Sequence, residues 1–275
     1  MQLSQAPAQI QLPFANGDGS KTNPVPVPSQ IGITPGAASF TDGFPPLCAT
    51  PVSSGGIPPS KADMDGVLFM LSGVDRWISA GAGFQFSSVY AAAIGGYPKG
   101  ARVLNATGSD YWLNLVDNNS TNPDTGSVPT GWIPTKATAS VYASGAQTTS
   151  GLNGKIFMNT VEFDYYGLWN AGGTQFKALW AGKYRMSGAL YLSAPVADEL
   201  YVEIWKNGAL AKRGIEFPQV SNVDITLPFN AIISLAVGDY LEPYLSVGGG
   251  GSVQVGASSG SNEPLVYAQL EYIGE

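Results

Sequence analysis

The stretch LAVGDYLEPYL, Leu235–Leu245, decides how the chain is read. A Gly-Asp pair opens it, and Tyr240, Glu242 and Tyr244 then fall on one face at the two-residue period of a strand. Yet it also sets two carboxylates, Asp239 and Glu242, three residues apart beside two tyrosines. If the acids form a site the chain is an enzyme, and if they are scaffold the stretch is a turn and a strand.

Composition favours scaffold. The chain has 275 residues with 44% apolar content, 35 Gly, 20 Pro and only 12% charged residues. Gly and Pro are poor inside helices and frequent between short strands, so a mainly β fold is expected with little helix. Twenty acidic against thirteen basic residues give a net charge of −7. Without a basic run to neutralise phosphates, nucleic acid is not an expected partner. The N-terminal MQLSQAPAQIQLPF lacks the basic and apolar regions of an export signal, and no apolar run approaches the ~18 residues of a membrane span, so a soluble protein without membrane insertion is expected.

The sequence contains no histidine and one cysteine, Cys48. Ser-His-Asp and Cys-His catalysis and the common zinc sites need side chains that are missing, and Cys48 can form no internal disulfide. GASSG, Gly256–Gly260, fits a nucleophile-elbow pattern at Ser258 but lies in a Gly/Ser-rich loop with no base to serve it. DNNSTNPDTG, Asp117–Gly126, begins like a calcium loop, but Asn122 replaces the turn glycine and Val128 the bidentate Glu, so a polar turn is expected. Acceptor-type triplets at Asn105, Asn118 and Asn119 mean nothing without a eukaryotic secretory route. No catalytic residue, cofactor or metal ligand is therefore assigned.

Along the chain, residues 1–45 carry too many prolines for a helix or central strand and read as an extended arm lying on something else. Within Gly56–Gly81, Ser60 can cap a helix, Asp63 and Asp65 fall in its first turn, and Met64, Val67, Leu68, Leu71, Val74 and Ile78 recur at helical spacing. This predicts one amphipathic helix of about 18 residues ended by Gly81, its stripe serving as core or subunit interface. Residues 46–139 read as a small domain in which the helix is followed by short strands and turns, such as GGYPKGARV and DYWLNLVDN. Residues 140–154 lose charge and periodicity together and read as a linker.

From residue 155 to 275 the strands multiply. Tyr184, Met186, Leu190 and Leu192 share a face with Gly188 between them, Leu200, Val202 and Ile204 share another, and Val266, Ala268, Leu270 and Tyr272 a third. Asn207-Gly208 predicts a tight hairpin turn. So many short strands in about 120 residues predict a β-sandwich or jelly roll.

The order WAGKYRMSGALYL, VEIWKNG, LAVGDYLEPYL and VYAQLEYI resembles the globular heads of the tumour necrosis factor and complement superfamily over about Ile156–Glu275. That resemblance implies a trimeric jelly roll in which the Gly-Asp turn opens a strand and Asp239 accepts local backbone hydrogen bonds. GIPPSKADMDGVLFMLSG, AAAIGGYPKGARV and YWLNLVDNNSTNPD, between Gly56 and Asp124, are similar in order and spacing to an attachment module of tailed-bacteriophage tail fibres. Such fibres usually carry repeats between base and tip, which are missing here, so the resemblance implies a stubby fibre.

Together these resemblances imply a parallel homotrimer whose N-terminal attachment domain docks on phage tail or baseplate proteins. Its jelly-roll head would bind a host surface polysaccharide or protein receptor, without chemistry, in a virion tail assembled in the bacterial cytoplasm. Contacts are expected in SAPVADE (residues 193–199), the KNG hairpin (206–208) and residues 246–264, with no receptor residue assigned. An adaptor or collar protein that holds another fibre is the alternative. A polysaccharide hydrolase would need paired acids in a cleft.

Overall fold

A computed structural model describes residues 7–125, 128–172, 174–193, 195–256 and 265–274. Their contacts divide the chain into two units, Met1–Phe84 and Gln85–Glu275.

The first unit is built on helix α1, Lys61–Ser79, which starts after Ser60 as predicted, although the Ser60 side chain makes no capping hydrogen bond. The arm lies along this helix in the opposite direction: Gln9 Nε2 donates to the Ser79 carbonyl at 2.7 Å, Phe14 N to Ser72 Oγ at 2.8 Å and Thr22 N to the Ala62 carbonyl at 2.9 Å. A Cβ at Gly66 would stand 2.0 Å from the Thr22 carbonyl oxygen, so only glycine lets the two backbones meet. Asp63, 6% exposed, accepts from Thr22 Oγ1 at 2.6 Å and from the Ala38 N–H at 2.9 Å. Asp65 pairs with Lys61, which also reaches Asp18 at 2.7 Å.

The helix is thereby inverted relative to an ordinary amphipathic one, with carboxylates turned inward and Met64, Leu71, Val74 and Ile78 exposed. Of the two roles expected for its stripe, these four side chains do not serve as core of this chain.

The second unit opens with α2, Ser88–Ile94, where the sequence reading had only strands and turns. Its signals are local: Ser87 Oγ accepts from Tyr90 N, an Ala run follows, and Gly95 ends it at φ 77°. Strands β1 (Arg102–Leu104), β2 (Tyr111–Asn114) and β3 (Trp132–Pro134) pair as a small antiparallel sheet. The buried face of β2 is Trp112 and Asn114, and the Asn114 amide donates to the carbonyls of Tyr97, Pro98 and Val116.

The chain then forms β4 (Ala137–Tyr142), β5 (Gln147–Ser150), β6 (Gly154–Lys155), β7 (Thr160–Asp164), β8 (Trp169–Asn170) and β9 (Gln175–Lys177). The long strands follow: β10 (Gly182–Ser193), β11 (Val196–Lys206), β12 (Ala209–Ser221), β13 (Ile225–Leu235), β14 (Tyr240–Val247), β15 (Ser252–Val255) and β16 (Tyr267–Gly274). One sheet runs β13-β10-β16-β4-β7, with β15 continuing the β16 edge of β10 and carrying β5. The other runs β12-β11-β14, whose far edge is shared by β9 and β6. The chain changes sheet after β10, β12, β13 and β14, the alternation of a jelly roll.

The faces assigned from periodicity are the buried ones: Tyr184, Met186, Leu190, Leu192, Leu200, Val202, Ala268 and Leu270 are fully buried, and Ile204, Val266 and Tyr272 nearly so. A Cβ at Gly188 would lie 2.2 Å from the Tyr267 carbonyl oxygen and 2.5 Å from the Phe229 ring.

The expected division of the chain differs from the structure in two places. Ser140–Gly154, expected as a linker, supplies the end of β4, all of β5 and the first residue of β6, and Val141 in it is fully buried. Its composition misled because it holds only the last three residues of β4 and the polar β5, Gln-Thr-Thr-Ser, and strand order there comes from pairing with β16, β7 and β15. Residues 85–139, expected to belong with the helix, share the sandwich's core instead, and Trp180 Nε1 donates to the Trp132 carbonyl at 3.1 Å.

Candidate functional site

Both acids of the opening stretch are structural. Asp239 follows Gly238, at φ 90°, and its carboxylate accepts the Ala236 N–H at 2.8 Å and the Asn207 amide at 2.7 Å while pairing with Lys206 at 2.8 Å. Asn207 (φ 51°) and Gly208 (φ 77°) are the hairpin read from the sequence, and Asn207 Oδ1 accepts Tyr240 N. The KNG hairpin and the Gly-Asp turn thus clamp each other. The Lys206 ammonium, then the Asn207 amide, hold the Asp239 carboxyl at about 2, below the ordinary 3.8.

Glu242 does point to the same face as Tyr240 and Tyr244, but it is 4% exposed and paired with Lys155 at 2.5 Å. Its diagonal neighbour across β11, Glu203, is 2% exposed and accepts from Arg213, Trp205 Nε1 and Ser246 Oγ. Trp205 stacks on Tyr244 with ring centres 4.4 Å apart. Each buried carboxylate therefore has its own cation, and aromatic rings cover the pair.

The polar turn is also as read: Asp117 Oδ1 accepts Lys99 N, Asn119 Oδ1 accepts Thr121 N, and Asn122 Oδ1 accepts Asp124 N. Cys48 is half-buried, its Sγ 3.4 Å from the Gly36 carbonyl oxygen. Ser258 lies outside the described residues. Of the loops proposed for receptor contact, Ala194 and residues 257–264 also lie outside them, and Ser252–Val255 is strand β15.

The cleft that could take a ligand was missed from the sequence. It centres on Tyr165 and Tyr166, in the turn after β7. Asp164 builds that turn, its two oxygens accepting the N–H groups of Gly167, Leu168 and Trp169 at 2.8–3.0 Å. Tyr165 is 81% exposed and stacks on Phe163 at 6.1 Å, whereas Tyr166 packs edge-on against Trp112 (5.6 Å) and Trp180 (5.7 Å).

On one side of the tyrosines lies a hollow of about 430 Å³ lined by Asn105, Thr107, Ser109, Asp110, Lys136 and Thr138. On the other, about 380 Å³ is lined by Trp112, Pro123, Asp124, Leu179 and Trp180. Both fall in the range of small-molecule pockets, about 300–1,000 Å³. Asn105 Oδ1 orders the rim by accepting Ser109 N and Thr107 Oγ1, and Asp124 Oδ1 accepts Trp112 Nε1 at 2.9 Å. Burial raises the Tyr166 phenol above its ordinary value, the charges of Asp110 and Asp124 add to the rise, and a hydrogen bond with Asn105 opposes it. The lining residues come from β2, β4, the β1–β2, β3–β4, β7–β8 and β9–β10 connections and the 123–129 segment, so no run of sequence displays them together.

No protein-family model matches this chain, and neither does any curated protein sequence. Among solved structures it is similar to murine APRIL (TM-score 0.38, 10% identity, 50% of this chain and 98% of that one). It is also similar to the Eiger TNF of S. frugiperda (0.36, 12%, 51% and 94%) and to the zebrafish complement 1qA globular domain (0.36, 14%, 50% and 96%). At such scores the jelly roll is argued from the strand order alone.

Proposed function

We propose that this chain is the receptor-binding fibre of a tailed bacteriophage, made in the bacterial cytoplasm and carried on the virion tail. In this reading the unit Met1–Phe84 attaches to the tail, three chains associate in parallel, and the jelly-roll unit holds a host surface molecule without chemistry. The observation that carries it is the inverted helix α1. Met64, Val67, Leu71, Val74 and Ile78 follow one another by 3, 4, 3 and 4 residues, the a/d seam of a coiled coil. Four of these five are exposed. An apolar seam with 3.5-residue spacing fits other copies of itself, and parallel copies would present the second units together, multiplying weak contacts into avidity. The resemblances at Gly56–Asp124 and Ile156–Glu275 supply the fibre base and the head.

Sedimentation of the intact protein is expected to give a trimer, which Leu71→Asp dissociates. Labelled protein is expected at the tail tip of virus particles, and free protein is expected to compete with virus for adsorption to susceptible cells. A stable monomer at micromolar concentration overturns the reading. Tail placement without competition replaces it with the adaptor or collar protein.

A further inference from the structure

We infer that the two-lobed cleft around Tyr165 and Tyr166 is a binding site for a neutral oligosaccharide, one pyranose ring stacking on Tyr165 and its neighbours lying in the two hollows. The inference rests on the receptor-binding reading only for where the saccharide comes from.

Three observations carry it. First, Tyr165, a residue 81% exposed whose ring stacks on Phe163, stands on a turn fixed by three hydrogen bonds to Asp164. A tyrosine ring presented to water on a turn held this way gives a ligand ring a stacking surface, and the fixed turn lowers the ordering cost of binding. Second, the polar groups on either side are of mixed kind: hydroxyls of Thr107, Ser109 and Thr138, the Asn105 amide, and the carboxylates of Asp110 and Asp124. A sugar hydroxyl donates and accepts at once, so it can use acceptors and hydroxyls side by side, which an apolar ligand cannot. Third, the charge is low and mixed. Asp110 and Lys136 line one hollow and Asp124 the other, so one cation stands against two carboxylates and the cleft lacks the cluster of cations that a polyanion or a phosphate would require. Trp112 and Trp180 line the second hollow, giving a further apolar wall for an adjoining ring.

The test uses the full-length protein and a panel of neutral hexasaccharides of glucose, galactose, mannose and N-acetylglucosamine, titrated with detection by tryptophan fluorescence and by saturation transfer to the sugar protons. At least one hexasaccharide is expected to bind, with Tyr165→Ala weakening it about tenfold or more. Tyr165 is so exposed that this variant should fold as the parent does, and its melting curve checks that. Asp124→Asn, which keeps an acceptor for Trp112, is expected to weaken binding less. No binding across the panel at millimolar sugar, or binding undiminished in Tyr165→Ala, overturns the inference. Intact protein that adsorbs to bacteria but ignores every hexasaccharide sinks this site and leaves the receptor-binding reading standing. Hexasaccharide binding without adsorption to any susceptible cell does the reverse.

Discussion

Lys155 Nζ stands 2.5 Å from Glu242 Oε1, across the short pairing of β6 with β14. The carboxylate whose role the opening stretch left to be decided is thus an anchor for the edge of a sheet, with its side chain 6% exposed and that of Lys155 21%. Such a pair contributes less by its attraction than its loss would cost, because one charge left alone would be buried without compensation.

Lys155→Met is therefore predicted to destabilise the protein by about 3 kcal/mol. Lys155→Met combined with Glu242→Leu should recover most of that loss. Urea midpoints of the three proteins check this, and equal losses in the single and double variants would show that the charge pair is not what holds β6.

Asp239 gives a prediction in pH. Its folded-state value, about 2, lies below the ordinary 3.8, so its contribution to stability is complete above about pH 4 and is lost as pH falls towards 2. Asp239→Asn should cost about 1 kcal/mol at neutral pH, the worth of a turn hydrogen bond. The difference from the parent should shrink as unfolding is repeated at pH 4, 3 and 2. A difference that stays constant over that range would mean that Lys206 does not stabilise the carboxylate.

The sandwich was legible in the sequence wherever a strand buries large side chains on one face, as β10, β11 and β16 do. Strand β4 was not, because Ala137, Ala139 and Ser140 give period two almost no hydropathic contrast. Gly188 was seen as a gap in a face, and only the structure shows the Tyr267 carbonyl and the Phe229 ring occupying its side-chain space. Helix α1 was found with its boundaries, but not its inversion, since periodicity reports a stripe and not which side meets water. The cleft escaped because Asn105, Asp124, Lys136 and Tyr165 are isolated polar or aromatic residues in four separate connections.

The placement of β4 and β5 changes where the chain can be cut. A fragment beginning at Gly154 lacks the strand that pairs with both β16 and β7, and the fully buried Ala139 and Val141 with it. A fragment beginning at Gln85 keeps the shared core. The longer fragment is predicted to melt cooperatively and the shorter one to aggregate or melt at lower temperature. Equal melting of the two would make residues 85–153 dispensable for the sandwich, as the linker expectation had it.

The last prediction concerns the arm. Among the described residues, Asp63 is the one side chain of α1 that bonds the arm at two distant points, Thr22 through its hydroxyl and Ala38 through its N–H. Nothing else in α1 reaches both, and the N–H of Ala38 is buried with its residue, 3% exposed, so it has no water to turn to. Asp63→Ala should leave that donor unsatisfied and cost the first unit about 2 kcal/mol. Helix formation should survive, because the residue lies in the first turn and Ala is the better helix former. What should fail is the hold of the arm on the helix. Lys21, whose ammonium caps the Asp18 carbonyl and lies 4.5 Å over the Phe69 ring, then becomes a site of fast tryptic cleavage. The melting of the Gln85–Glu275 unit should not change, since the altered contacts all lie before Phe84. Limited proteolysis together with calorimetry separates the two effects: slow cleavage at Lys21 in the variant would mean that the backbone contacts of Thr22 and Phe14 hold the arm without Asp63.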